Sequence, residues 1–268
     1  MCASLLNKGK TTLRRVPRIE EVFRIVETLK SIGVKIDWSN GTMVIETPDQ
    51  YNLENINLES ANKTRSIVMF IGPLINYLNN FSLPQSGGCK LGSRTVKPHF
   101  YALENFGVDI KVTETAYQIE VDRIKPTKEI ILYESGDTVT ENTLMAAALT
   151  PGETTIKYAS ANYMVQELCF FLLNCGVKID GIGTSTLRVS GVSEINQDID
   201  CTLSEDPTDS MFFLTAAILT NSSIVIKRCP IEFLELELLK LSKMGFQYQT
   251  SDPYFCLLYT SPSPPRPY

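Results

Sequence analysis

What the chain has little of bounds it first. It has no excess of positive charge: 25 Lys and Arg against 30 Asp and Glu leave a formal net charge of -5 over 268 residues. No basic stripe offsets that balance, which argues against a nucleic-acid binder. No apolar run is long enough to span a membrane; the longest, residues 211–219, is interrupted by Thr215 and followed by polar residues. The N-terminus lacks the charged, apolar and small-residue order of a secretory signal. Paired cysteines are missing too. The seven, at positions 2, 89, 169, 175, 201, 229 and 256, form no CxxC pair, and most sit in apolar runs. That excludes the usual metal and disulfide frameworks and points to a reducing cytoplasm. Histidine is reduced to one, His99. The remainder, 43% hydrophobic and 21% charged, describes a soluble globular protein with room for one large domain or two ordinary ones.

What is present is a repeat. L-K-S-I-G-V-K-I ends at Ile36, L-E-N-F-G-V-D-I at Ile110, L-L-N-C-G-V-K-I at Ile179 and L-S-K-M-G-F-Q-Y at Tyr248, a spacing of about 70 residues. Each shared glycine follows a helical run and precedes an alternating one, so it reads as a C-cap in the left-handed region. Apolar helices are expected at 65–78, 140–150 and 208–220, each followed by a short strand; the strands fall at 12–16, 81–83, 154–158 and 223–228. An amphipathic helix comes next, as at 19–32, where Ile19, Val22, Phe23, Val26 and Leu29 line one face. A hairpin closes the unit: 34–37 with 43–46 through Ser39, Asn40 and Gly41, and 178–180 with 186–190. The unit is therefore helix, strand, helix, strand, strand, in an α/β (α+β) fold whose sheets bury one face on helices.

Measured against that unit, both ends look cut. Residues 1–6 read as the last turns of a helix whose start is missing. The Ser/Pro-rich stretch 260–268 reads as a tail foreign to the fold. The expected organisation is a three-repeat domain over 1–197, the first repeat of a second domain over 198–259, and the tail.

The densest chemistry lies in S-L-P-Q-S-G-G-C-K-L-G-S-R-T-V-K-P-H, residues 82–99. Glycines on both sides of Cys89 give a loop that can lift one thiol into solvent. Lys90, Arg94 and Lys97 set positive charge near it, which favours the thiolate. Arg94 offers a planar fork of donors for a carboxylate or phosphate. The local pattern reads as a thiol poised over a small anion, or as a glycine turn with an inert cysteine.

The repeat and this loop together resemble the enolpyruvyl transferase family. Supporting matches are T-L-R-R-V-P-R-I-E-E-V, R-S-I-V-M-F-I-G-P-L, T-E-N-T-L-M-A-A-A-L and T-T-I-K-Y-A. G-G-C-K-L-G-S-R-T-V-K-P-H is similar to P-G-G-C-x-[IL]-G-x-R-P-V-D-L-H of the branch that acts on UDP-N-acetylglucosamine. The branch that makes enolpyruvylshikimate phosphate has no such cysteine loop. The resemblance implies an inside-out α/β barrel, two domains of three units each, and substrates held in the cleft. It implies transfer of the enolpyruvyl group of phosphoenolpyruvate to the 3-hydroxyl of UDP-N-acetylglucosamine, the first committed step of peptidoglycan synthesis, with no metal or organic cofactor.

Residue by residue, the resemblance makes Cys89 the acid towards the methylene carbon of phosphoenolpyruvate, with Arg94 and Arg65 as substrate-binding arginines. Thr95, Val96, Lys97, Pro98 and His99 correspond to a uridine-binding turn. Here Thr95 stands for proline, Lys97 for aspartate and Pro98 for leucine. The reversed charge at Lys97 bears on which nucleotide sugar is preferred, unless Lys97 meets the diphosphate. His99 reads as a packing or uracil-side residue ahead of a general base. Glu134, Ser135, Gly136 and Asp137 correspond to a segment at the uridine and diphosphate. Asp206, Pro207, Thr208 and Asp209 stand where the family usually has Asp-Arg-Ile-Glu, and Asp206 and Asp209 read at least equally well as caps of the following helix. The family's Lys-Asn pair and sugar-hydroxyl base would lie beyond the two ends, so the chain as written is expected to be inactive. The readings that compete are the shikimate-branch transferase, a non-catalytic binding homologue and, disfavoured by the acidic balance, an RNA-modifying protein on a similar repeat.

Overall fold

The structure, a computed structural model, describes residues 1–85, 95–122, 124, 127–251 and 256–260, with 251 and 256–260 described through the backbone alone. The chain divides into two compact units, Met1–Leu203 and Ser204–Tyr268.

The first unit opens on a 3-10 helix, Cys2–Leu6, whose residues 3–6 are buried. Strand β1 (Lys10–Arg14) leads to helix α1 (Glu20–Ser31) and the hairpin β2 (Lys35–Ser39) and β3 (Thr42–Glu46). Asn40 and Gly41, at φ 47° and 74°, make the two-residue left-handed turn that joins them. Next come α2 (Leu58–Asn62), a 3-10 helix Arg65–Phe70 that runs into α3 (Ile71–Leu74), then β4 (Asn80–Pro84). Helix α4 (Lys97–Glu104) precedes β5 (Val108–Val112) and β6 (Ala116–Val121). The third repeat holds β7 (Glu129–Ile131), α5 (Asp137–Ala148), β8 (Gly152–Lys157), α6 (Tyr163–Asn174), β9 (Lys178–Asp180) and β10 (Thr186–Gly191). Strand β11 (Ile199–Thr202) completes the unit.

These strands form three sheets, β11-β1-β3-β2, β4-β6-β5 and β7-β8-β10-β9. Each has an antiparallel core built from one repeat. Two carry a further strand running parallel at the edge: β11 on β1, with Thr11 opposite Ile199, and β7 on β8, with Glu129 opposite Thr155. The repeat pattern gave no sign of those parallel edges. Residues 199–202, expected in the second domain, thus pair within the first unit. A single apolar core joins the three repeats, with Leu5, Leu29, Phe70, Phe106, Leu144 and Leu172 fully buried.

The second unit follows the same order: α7 (Pro207–Leu219), β12 (Ile224–Ile226), α8 (Glu235–Lys243), β13 (Gln247–Ser251) and β14 (Cys256–Thr260). Asp206 caps α7 through Thr208 N at 2.7 Å, the structural one of its two readings. Thr260, set apart above with the tail, instead ends β14 and pairs with Gln247. Residues 261–268 lie outside the described residues.

The four shared glycines, Gly33, Gly107, Gly176 and Gly245, have φ of 102°, 85°, 85° and 95°. That is the left-handed C-cap read from the repeat. Two expectations need correction. The buried face of α1 is Ile25, Val26, Thr28 and Leu29, with Ile19 standing outside the helix at 53% exposure. The helix expected over 65–78 is broken into a 3-10 segment and a single α turn. Pro73 removes one backbone donor, and the Gly72 N–H bonds to Asn142 Oδ1 at 2.8 Å instead of continuing the ladder.

Leu29→Ala is expected to lower stability by about 2–5 kcal/mol and Ile19→Ala by less than about 0.5 kcal/mol, read from urea denaturation midpoints.

Candidate functional site

One cavity of the first unit, about 620 Å³, is lined by Arg65, Thr95, His99, Glu134, Ser135, Gly136, Asp137, Thr138 and Met164. Three stretches of chain meet there, with Met164 of α6 beside them: the start of the 3-10 helix Arg65–Phe70, the entry to α4 and the turn into α5. Each is a place where the sequence ends a strand or loop and caps a helix. Thr64 caps the 3-10 helix by accepting from Ser66 N at 3.1 Å. Its hydroxyl donates to Glu21 Oε1, and so does that of Ser66, at 2.6 Å. This fixes the turn from which Arg65 projects. Arg65, half-buried, donates through Nη2 to Thr95 O at 3.2 Å, tying the first stretch to the second. Thr95 Oγ1 in turn accepts from Lys97 N at 3.2 Å at the first turn of α4.

The third stretch enters α5 through Gly136, which offers no side-chain cap. Asp137 holds the first helical position, where a carboxylate suits the positive end of the helix dipole. Both its oxygens are engaged, Oδ1 by Ser160 Oγ at 2.5 Å and Oδ2 by Asn162 Nδ2 at 3.0 Å. Ser135 Oγ donates to Ala159 O at 3.3 Å. Glu141, a turn further on, has its carboxyl pushed up to about 7 by burial and then by Asp137.

His99 is 3% exposed, and its ring is held down to about 4 by burial and then by the Arg65 charge. The ring is therefore neutral at pH 7. Its Nδ1 lies 3.2 Å from Asn142 Nδ2 and its Nε2 3.4 Å from Thr138 Oγ1. This fits the packing reading of His99 better than a general base, because both nitrogens are already engaged.

Of the residues expected at a site, Arg65, Thr95, His99, Glu134, Ser135, Gly136 and Asp137 converge on this cavity. Val96, Lys97 and Pro98 do not line it: Val96 caps α4, Lys97 is exposed and Pro98 is buried in the first turn of the helix. Cys89 and Arg94 lie outside the described residues. Sequence reasoning missed Thr138, Met164 and above all Asn142, which is 0% exposed. The sequence hid it, since Asn142 stands among the polar residues Thr140, Glu141 and Thr143 in the first half of α5. A second cavity, of about 590 Å³ beside β4, holds none of the expected site residues.

With an arginine, two carboxylates, three hydroxyls and a helix N-terminus, the described lining suits a ligand rich in both donors and acceptors. No group of three or more His, Cys, Asp or Glu able to hold a metal ion occurs among the described residues.

The family model described as EPSP synthase (3-phosphoshikimate 1-carboxyvinyltransferase) matches residues 1–262. A UDP-N-acetylglucosamine 1-carboxyvinyltransferase 2 of Clostridium tetani is 31% identical over 253 residues, 94% of this chain and 60% of that protein. A UDP-N-acetylglucosamine 1-carboxyvinyltransferase of Chloroherpeton thalassium is 33% identical over 258 residues, 94% of this chain and 59% of that protein. The chain thus spans about 60% of the length of the curated relatives it matches. Among solved structures, the enolpyruvyl transferase NikO from Streptomyces tendae superposes with a TM-score of 0.83 at 16% identity, over 97% of this chain and 62% of that one. An EPSP synthase from Acinetobacter baumannii gives 0.69 at 16% identity over the same shares. These two likenesses establish the fold, an inside-out α/β architecture.

Because His99 binds its proton less readily folded than unfolded, stability is expected to fall as pH drops from about 6.5 towards 4 and to lose nothing further from this group below that. Removing the opposing cation in Arg65→Gln is expected to raise the ring's titration midpoint, followed by NMR of the lone histidine.

Proposed function

The chain belongs to the EPSP synthase (enolpyruvyl transferase) family, and from that we propose that the protein transfers the enolpyruvyl group of phosphoenolpyruvate to the 3-hydroxyl of UDP-N-acetylglucosamine. The observation that carries this reading is the convergence, on one cavity, of Arg65, Thr95, His99 and residues 134–137 from separate stretches of chain. Relatives bearing the UDP-N-acetylglucosamine name at 31% and 33% identity, and the cysteine loop in the sequence, favour this acceptor over a shikimate.

In this reading Cys89 gives a proton to the methylene carbon of phosphoenolpyruvate, leaving the neighbouring carbon electrophilic. The sugar hydroxyl attacks that carbon and loses its proton to a base. The tetrahedral adduct then returns a proton from its methyl carbon to the Cys89 thiolate as inorganic phosphate leaves the neighbouring carbon, which restores the double bond. Arg94 and Arg65 hold the anionic groups of the substrates, for which a guanidinium is suited by its fixed fork of donors. Thr95, Glu134, Ser135, Gly136 and Asp137 line the acceptor's subsite, with Val96, Lys97 and Pro98 ordering the turn beside it. The three-repeat domain that carries the cysteine loop, expected over 1–197, takes in β11 and so extends to residue 203, and 204–260 act as the first repeat of a second domain.

Calorimetric titration with UDP-N-acetylglucosamine is expected to show binding that Arg65→Ala weakens about tenfold or more, the loss of about 1.4 kcal/mol or above. An epoxide phosphonate that mimics phosphoenolpyruvate is expected to add one mass equivalent to the wild type and none to Cys89→Ser. Absence of both nucleotide-sugar binding and Cys89 labelling would leave a binding homologue that has lost the chemistry.

A further inference from the structure

We propose that Asn142 is a positioning residue that fixes His99 as the Nε2–H tautomer, so that the Thr138 hydroxyl is presented as a donor to an oxygen of the ligand. The identity of that ligand rests on the transferase reading; the tautomer does not.

The chain of reasoning starts from a backbone amide, which can only donate. Gly72 N lies 2.8 Å from one end of the Asn142 side chain, so that end is the oxygen Oδ1. The other end is therefore Nδ2, with two hydrogens to place. One goes to Val68 O at 3.1 Å, and the other faces His99 Nδ1 at 3.2 Å. A donor at that position requires Nδ1 to be bare, and a neutral imidazole then carries its proton on Nε2. Nε2–H points to Thr138 Oγ1 at 3.4 Å. With its oxygen accepting, Thr138 has one hydrogen left to give. The residue is exposed and lines the cavity, and no other bond to its side chain occurs among the described residues. Three hydrogen bonds in series polarise one another, which makes the last donor stronger than an isolated hydroxyl.

The relay exists only while the ring is neutral. A second proton, on Nδ1, would press an N–H against the Asn142 amide donor. Among the described residues, the titratable groups that share the cavity with the ring are Arg65, Glu134 and Asp137. Arg65 opposes protonation, and both oxygens of Asp137 are already bonded to Ser160 and Asn162. The site therefore meets its ligand with an uncharged donor beside the arginine rather than with a second cation. That arrangement selects a neutral or singly shared oxygen at this point.

The chain has one histidine, so long-range proton–nitrogen correlation spectra of labelled protein report His99 alone. At pH 7 the ring is expected to be neutral with its proton on Nε2. Asn142→Asp, whose carboxylate accepts from Nδ1–H, is expected to move a proton to Nδ1 and raise the titration midpoint by about one pH unit or more. A wild-type ring protonated on Nδ1, or a wild-type midpoint near that of free histidine, overturns the assignment; this spectrum decides it even if Asn142→Asp does not fold. Thr138→Val is expected to weaken UDP-N-acetylglucosamine binding about tenfold, with Thr138→Ser restoring it. Equal affinity of Thr138→Val and wild type removes the donor role. If the wild type shows the Nε2–H ring but takes up no UDP-N-acetylglucosamine, the transferase reading falls and the tautomer assignment stands.

Discussion

The side-chain amide of Asn142 sits in the slot that a helical hydrogen bond between Val68 and Gly72 would fill. It accepts from Gly72 N and donates to Val68 O, replacing both halves of the missing bond. Its remaining hydrogen meets His99. One buried group thereby ties together the 3-10 segment that carries Arg65, the helix that carries His99 and the helix that opens at Asp137. The four hydrogen-bonding valences of a buried amide are costly to leave open, about 1–3 kcal/mol for each unsatisfied group. The three walls of the cavity are accordingly held in register by polar pairing at their common root, while the apolar core beneath supplies most of the cohesion.

This arrangement also explains the electrostatics of the site. Burial alone disfavours a charged ring, and Arg65 adds to that. A basic residue that stays uncharged can sit beside an arginine without repelling it. The carboxylate of Asp137 is likewise tied to Ser160 and Asn162. Arg65 donates to Thr95 O, which orients it.

Much of this was legible in the sequence because it follows from local rules. The repeating glycine needs a left-handed conformation, and all four positions have it. The hairpin at Asn40 and Gly41 follows from turn chemistry, and the order of helices and strands from hydrophobic spacing. What was not legible depends on partners distant in sequence. Strands β7 and β11 are three and four residues long and pair in parallel with strands whose own repeat gives no hint of them. The break before α3 depends on a side chain 70 residues away. The exposed Ile19 falls on the α1 stripe by spacing alone, yet the helix begins one residue later. For the site, the resemblance located the turn into α5 and Arg65, while Asn142, the residue that binds them together, lay unremarked inside a motif quoted for other reasons.

The pairing of β11 with β1 has a consequence for how the first unit is made. Thr11 lies opposite Ile199, and the Asn7 side chain donates to Gln197 O across 190 positions of sequence. A ribosome delivers β1 early and β11 late. Until residue 202 has emerged, the outer edge of β1 is an open template with its ladder groups bare. The first sheet therefore cannot seal during most of translation, and the middle and third repeats have the opportunity to collapse before it does. The last strand of the first unit to leave the exit tunnel is the one that closes the oldest part of that unit.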